Sequence, residues 1–382
     1  MKITNLSLTN FRNYKKQTIN LSPSTNIFIG NNAQGKTNIL EAIYTIALAR
    51  SYKAKDKDMI LNSADFYKIS ALIDFYNRDE ELMMIGANEG KKVFANGAEI
   101  KKLSDFIGRL NVVLFSPDDI LMLKNGPGEK RKLMDMSLLQ ISKQYIEDYT
   151  AFKKQIKLRN DYLKYLLPKI KEEDDEIKDD MLDVLTANFI STNKKIFESR
   201  KKFLDNLSKL TEQKYTALSG EKASIKFDYQ INFKEDIEFY KERYRSDILS
   251  GTTQYGCHRD DIKFYKNNED FETTSSQGEM RMLSLSIKLA LADMLKNMKG
   301  ESPVVLLDDV FSELDKNHQN RLLSVLDKSM QIIITTTDIL KLGKLALDNA
   351  KVFMINHGTV KEIENNGWRE ENIRWINERS DW

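Results

Sequence analysis

Residues 30–37 read Gly-Asn-Asn-Ala-Gln-Gly-Lys-Thr, a G-x-x-x-x-G-K-T loop that works in one local architecture only. Its backbone N–H groups can cradle an anion if a strand delivers the loop and a helix begins where it ends, so that the helix N-terminus faces the bound charge. Both flanks comply. The apolar stretch Asn26–Ile29 runs into Gly30, and Thr37–Arg50 carries Ile39, Leu40, Ile43, Ile46 and Ala47 on one helical face. Gly30, Asn31, Asn32, Ala33, Gln34 and Gly35 are therefore expected to wrap phosphate oxygens, with Lys36 reaching the terminal phosphates, the Thr37 hydroxyl holding Mg2+, and Asn38 adjoining them.

Such a loop needs a carboxylate emerging from a buried neighbouring strand. Val304-Val305-Leu306-Leu307 followed by Asp308 and Asp309 supplies it. The apolar run buries the strand, and its C-terminal end is where ligands of open α/β sheets bind. Asp308 is expected to hold Mg2+, directly or through water, and Asp309 to orient or deprotonate an attacking water. Alone, an apolar strand ending in two aspartates is commonplace; behind a complete phosphate loop it becomes a metal site. A third segment, Ser275-Ser276-Gln277-Gly278-Glu279-Met280-Arg281, opens a helix that continues through Leu283, Ile287, Leu289 and Leu291. Ser276 and Gly278 offer a hydroxyl, backbone donors and a helix dipole, which suits a second anion site or a plain N-cap.

Around these motifs the periodicity divides the chain. Strands are expected over Ile3–Leu8, Thr18–Leu21, Ile69–Tyr76, Glu81–Ile85, Lys92–Ile100 and Val112–Phe115, with Asn96-Gly97 as a hairpin turn. From Gly128 to Leu218 apolar residues recur at helical spacing. Pro168 and the charged run Lys171–Asp180 break this stretch into two antiparallel arms of about 30 residues, each reaching about 45 Å. Strands Ser224–Tyr229 and Asp261–Tyr265 flank a helix near Asp236–Ile248. The end alternates helix and buried strand through Met280–Met298, Val304–Leu307, Asn317–Leu326, Ile332–Ile334 and Val352–Ile355. The whole is α/β with a parallel core sheet.

Charge adds a constraint. With 59 Lys and Arg against 57 Asp and Glu, any affinity for a polyanion must come from local clusters. Two are candidates: Arg50, Lys53, Lys55 and Lys57 around Tyr52, and Lys124, Lys130, Arg131 and Lys132. Cys257 is the one cysteine, which excludes an internal disulfide. No apolar run approaches the ~18 residues of a membrane span, so no membrane association and a cytoplasmic location are expected. His258-Arg259-Asp260-Asp261 reads as a hydrogen-bonding and ion-pairing cluster joining two lobes rather than as a metal site. Trp368, Trp375 and Trp382, seven apart, form one stripe if helical.

Several phrases together resemble a known family: Leu8-Thr9-Asn10-Phe11-Arg12-Asn13-Tyr14, the run Gly30–Ile43, Phe115–Asp119, Gly256–Asp261, the Ser275–Arg281 segment and Leu306–Asp315. They are similar to ABC-type ATPases of the SMC and RecF group, in most detail the RecF family. The resemblance implies an ABC-type ATPase head, a P-loop NTPase with a mixed-sheet lobe I (1–120 and 285–382) and a helical lobe II insertion (121–284) carrying the signature. Only about 240 residues separate Gly35 from Ser276, so no long coiled coil of the SMC kind is expected. It further implies ATP and Mg2+ as ligands and an ATP-induced homodimer in which Ser276 and Gly278 of one copy contact the γ-phosphate held by the other's Lys36, with Asp315 at the seam. Arg12 is implied to approach the phosphates. DNA, duplex or gapped, is the implied partner, with RecO- and RecR-like mediators and a role in loading recombinase on single-strand gaps.

Departures from the family pattern bear on rate. Thr337 stands where many ABC ATPases have a switch histidine and would contact the γ-phosphate by its hydroxyl; Ser116 is nearest to the usual Q-loop glutamine. Asp309 replaces the commoner Glu, and Glu279-Met280 the usual pair of glutamines. Slow, timer-like hydrolysis is expected. The alternative is a structural, ATP-gated clamp in which hydrolysis is incidental.

Overall fold

The computed structural model describes residues 1–75, 78–170, 177–339, 342, 344–347 and 349–363; the tryptophan stripe at 368–382 and most of the charged run 171–180 lie outside them. A six-stranded sheet forms the centre, in the order Thr359–Ile363, Lys351–Asn356, Thr25–Ile29, Ile332–Thr336, Val304–Asp308 and Val112–Phe115. All its pairings are parallel except that of the edge hairpin, Lys351–Asn356 with Thr359–Ile363. Val304–Asp308 and Val112–Phe115 are buried at every position, which is why they read as unbroken apolar runs. Thr359–Ile363, at the opposite edge from Val112–Phe115, departs from that pattern and exposes Lys361 and Glu362.

A second six-stranded sheet is antiparallel, in the order Tyr14–Asn20, Lys2–Phe11, Phe66–Phe75, Arg78–Ala87, Gly90–Ala95 and Ala98–Ile100. Burial alternates along Phe66–Phe75, as expected of a sheet with one wet face. Asn96 (φ 49°) and Gly97 (φ 78°) are both left-handed, the requirement of a two-residue primed turn. The phosphate-loop helix, Lys36–Leu48, shares one core with both sheets: Ile39, Ile43 and Ile46 cluster with Ile3, Leu6, Ile69 and Ile73 and with Leu306 and Ile333. Glu41, Ala42 and Thr45 are buried too. The helix is thus buried over most of its surface, where the sequence suggests one apolar face.

Two compact units result: Met1–Ile120 with Leu210–Ala223 and the described residues from Gln277 to Ile363, and Leu121–Lys209 with Ser224–Ser276. The first therefore takes 210–223 and 277–284, which the sequence reading assigns to the helical lobe. The reason lies in Gln277–Lys299, a single helix whose buried residues Met280, Leu283, Ile287 and Leu291 run without a break. The second unit contains helices Pro127–Ile141, Lys143–Leu166 and Asp180–Ser219 as far as Lys209, with a small antiparallel sheet of Glu269–Asp270, Asp261–Lys266 and Ile225–Gln230.

Asp180–Ser219 has 40 residues, about 60 Å at 1.5 Å per residue, longer than the arm expected. Its length follows from one continuous buried stripe at alternating spacings of three and four: Leu182, Thr186, Phe189, Asn193, Ile196, Arg200, Phe203 and Leu207. The polar members are satisfied within the second unit. Arg200 donates to both carboxylate oxygens of Asp135 (3.0 and 2.9 Å), Asn193 Oδ1 accepts the Cys257 N–H at 2.8 Å, and Thr186 accepts from Arg159 at 3.0 Å. Asp260 accepts from Asn232 N–H (2.7 Å) and Tyr229 OH, and His258 Nε2 lies 2.8 Å from Thr253 O. These partners of the His258–Asp261 segment all belong to the second unit, so the segment knits one unit where a link between lobes was expected. Burial pushes the Cys257 thiol up, which suits packing and opposes nucleophilic chemistry. No helix among the described residues is long and apolar enough to cross a membrane.

Candidate nucleotide site

The strand Thr25–Ile29 ends at Gly30, which packs so closely that a Cβ there would meet Ile355 O at 2.5 Å. Gly35 turns the chain into the helix at φ 114°, and Ala33 is also left-handed at φ 66°. Lys36 is buried, and its ammonium donates to Gly30 O and to Asn31 O (2.8 Å), folding the side chain back over the loop. Burial lowers the Lys36 pKa, while Asp309 and Asp308 act to raise it.

The acidic strand end lies beside this loop although the two strands are not neighbours; Ile332–Thr336 runs between them. Thr37 Oγ1 donates to Asp308 Oδ1 at 2.9 Å. Asp308 is 8% exposed, and the same Oδ1 accepts the Thr335 hydroxyl at 2.8 Å. Thr335 Oγ1 in turn accepts the Asp309 N–H at 3.1 Å, at the point where Asp309 bends away at φ 50°. Thr335 was not anticipated. Its signal is register, since it pairs directly with Asp308 across the parallel ladder, and register is invisible before the strand order is known.

The other expected positions have partners of their own or lie exposed. Arg12 Nε and Nη2 are held by both oxygens of the buried Glu41 (2.8 and 2.7 Å), and Nη1 donates to Asp58 O at 2.7 Å. The hydrogen bond to Glu41 holds its pKa above the ordinary arginine value. Thr337 is half-buried just beyond the strand Ile332–Thr336, and it is Thr335, two residues earlier, that reaches Asp308. Ser116 N–H is bonded to Asp119 Oδ2 (2.8 Å), and Lys288 ties that segment to its own helix through Asp119 (3.0 Å) and Leu114 O (2.8 Å). Ser276 and Gly278 are exposed at the start of Gln277–Lys299. Gly278 and Asp315 line a cavity of about 290 Å³ with Tyr215, Arg281, Glu313 and His318; no phosphate-loop residue lines it. Asp315 caps the helix Lys316–Val325, accepting from Asn317 and His318 N–H (2.9 and 3.0 Å), and these bonds lower its pKa.

Of the basic candidates, Arg50, Lys53, Lys55 and Lys57 are exposed. Lys130 is not: it is 3% exposed and bound to Glu272 and Ile262 O. Arg131 is committed to Asp260 O. The residues bracing the loop from outside are Asn13 and Tyr14, which the sequence reading quotes without assigning a role, and His357 and Gly358, which it does not single out. Asn13 Nδ2 donates to Gln34 O (2.8 Å), Tyr14 OH to Gly35 O (3.0 Å), and His357 N–H to Gln34 Oε1 (2.6 Å).

A phosphate loop, an acidic strand end one strand removed, a serine-glycine helix start and a capped Asp315 turn, set on a mixed sheet with a helical insertion, define the head of an ABC-type ATPase. The family model described as RecF/RecN/SMC N terminal domain matches residues 2–361. The DNA replication and repair protein RecF of Staphylococcus aureus (strain JH9) is 37% identical over 373 residues, covering 94% of this chain and 100% of that protein. The chain belongs to the RecF family. Solved structures of the recombination mediator protein RecF of the RecFOR pathway, with ATPrS and with ATP, superpose with TM-scores of 0.84 and 0.83 at 28% identity, covering 95% of this chain and 98% of theirs. An Smc head from Pyrococcus furiosus, at TM-score 0.53 and 18% identity, shares the fold.

Proposed function

We propose that this chain binds ATP with Mg2+ at the Gly30–Asn38 loop, dimerises around it, binds duplex or gapped DNA in that state, and hydrolyses ATP slowly to let go. The observation that carries this reading is the hydrogen bond from Thr37 to Asp308 beside the buried Lys36. Two oxygens 2.9 Å apart, one hydroxyl and one carboxylate, are the donor set a hard cation such as Mg2+ takes. Similarity to RecF structures named for bound ATP supports the nucleotide. Lys36 would bind the terminal phosphates, Asp308 and Thr37 would hold the metal, and Asp309 would orient the attacking water. Thr337 would contact the γ-phosphate. Asp309 is one methylene shorter than Glu, which favours a slow step.

The exposed Ser276 and Gly278, the latter lining with Asp315 a cavity that no phosphate-loop residue lines, are the features that fit completion of the site by a second copy. Recombinase loading with RecO- and RecR-like mediators, in the cytoplasm, extends the reading by family likeness. The test is mass in solution by light scattering with ATP, ADP or no nucleotide. Mass should double with ATP and Mg2+ alone, and Ser276→Arg should abolish the doubling while nucleotide binding persists. A dimer that survives Ser276→Arg, or a monomer in every condition, would overturn it.

A further inference from the structure

We propose that the tip of the edge hairpin, His357-Gly358, and Asn13 together form a clasp that pre-shapes the phosphate loop, acting as positioning residues for triphosphate binding. The inference rests on the reading of Gly30–Asn38 as a nucleotide site. Gln34 is gripped from two ends of the chain. Its side-chain Oε1 accepts the His357 N–H at 2.6 Å, from 323 residues away. Its carbonyl accepts both Asn13 Nδ2 (2.8 Å) and the Gly358 N–H (3.3 Å). Asn13 Oδ1 accepts Asn38 Nδ2 at 3.0 Å, so one side chain spans the loop from its fifth position to the first helical turn.

The chemistry follows from the planar trans peptide, in which C=O and the next N–H point in opposite directions. Holding the Gln34 carbonyl outward on Asn13 and Gly358 turns the Gly35 N–H inward. That is one of the amides a phosphate cradle needs. A loop with glycines at both ends would otherwise be ordered at the ligand's expense. The clasp leaves no slack: a Cβ on Gly358 would meet Asn13 O at 2.2 Å, and one on Gly35 would meet Asn13 Nδ2 at 2.6 Å and Tyr14 OH at 2.8 Å.

A matched pair of variants isolates the contact. Gly358 (φ +75°) and Gly97 (φ +78°) both sit at left-handed hairpin tips, but a Cβ on Gly97 meets nothing within 4 Å. Binding of a fluorescent ATP analogue, with Mg2+, should weaken roughly tenfold in Gly358→Ala and in Asn13→Ala, and stay at the wild-type value in Gly97→Ala. The Asn13→Ala/Gly358→Ala double variant should lose little more than either single one, because both act through the Gln34 carbonyl. Without nucleotide, amide hydrogen exchange across residues 31–36 should speed up in Gly358→Ala and not in Gly97→Ala. Wild-type affinity in a folded Gly358→Ala, or fold-losses that multiply in the double variant, would overturn the clasp. If Gly358→Ala does not fold, Asn13→Ala decides by the same two readouts. Should the wild type bind no analogue, the nucleotide reading fails by itself, and exchange still judges the clasp: unchanged protection sinks it, faster exchange upholds it.

Discussion

Thr335 sets what a single hydroxyl can do here. It donates to Asp308 Oδ1 and accepts from the Asp309 N–H, so one oxygen aligns the carboxylate and fixes the bend that follows it. Replacing it by an isosteric apolar group strips both bonds in a buried setting. Thr335→Val is expected to cost about 1–3 kcal/mol of stability and to raise the Mg2+ concentration for half-maximal nucleotide binding, while Thr335→Ser stays near wild type in both. Thermal unfolding and a Mg2+ titration of analogue binding check this; a Val variant with unaltered Mg2+ dependence removes the role. Legibility differs sharply between neighbours. Lys36, Thr37 and Asp308 could be read from the sequence because their chemistry is bound to a local pattern of glycines and an apolar run. Thr335 could not, since its partner lies 27 residues away in sequence and only strand pairing brings them level. Arg12 adds a partner that no local pattern announces: the buried Glu41 on the loop helix binds its guanidinium through both carboxylate oxygens.

At the scale of elements, the 40-residue helix Asp180–Ser219 holds a polar residue at intervals along an otherwise apolar stripe. Arg200 is 1% exposed and bound to Asp135, to Cys257 O at 2.6 Å and, at 3.6 Å, to Asp260. Asp135 also accepts the Tyr145 OH at 2.6 Å. Burial works against the Arg200 charge and Asp135 restores it, leaving the pKa well above the ordinary value. Truncating one partner strands the other's charge, so Arg200→Ala should cost about 3–5 kcal/mol. Arg200→Ala/Asp135→Ala should cost less than the sum of the single changes. Urea unfolding measures both, and strict additivity would show that the pair is not coupled. The helix itself was legible, because the period of its apolar residues is local. Its full length was not: polar Thr186, Asn193 and Arg200 interrupt the hydrophobic signal at positions that tertiary hydrogen bonds, not composition, make tolerable.

For the molecule as a whole, near-balanced charge leaves DNA affinity to patches. Folding narrows them: Lys130 and Arg131 are consumed by internal partners, which leaves Lys124 and Lys132 exposed in that cluster, whereas all of Arg50, Lys53, Lys55 and Lys57 stay exposed. Changing those four to Ala should weaken duplex binding in the presence of ATP and reduce the slope of log affinity against log salt by about 0.9 for each phosphate that is no longer neutralised. An unchanged slope, measured by anisotropy over a salt series, moves the DNA surface elsewhere.

The sequence alone determined the strand, phosphate loop and helix, the acidic strand end and the hairpin at Asn96-Gly97, because each is written in a short window where backbone geometry and residue type are tied together; the ABC-type class came from the likeness of its phrases to a known family. Tertiary structure alone decided which strand separates the two halves of the site, that the loop helix is buried well beyond its apolar face, and that residues 13–14 and 355–358 grip the loop between them. Those are matters of which distant segments meet. A one-dimensional pattern fixes what a segment can become, while its neighbours are chosen by the burial of all segments at once.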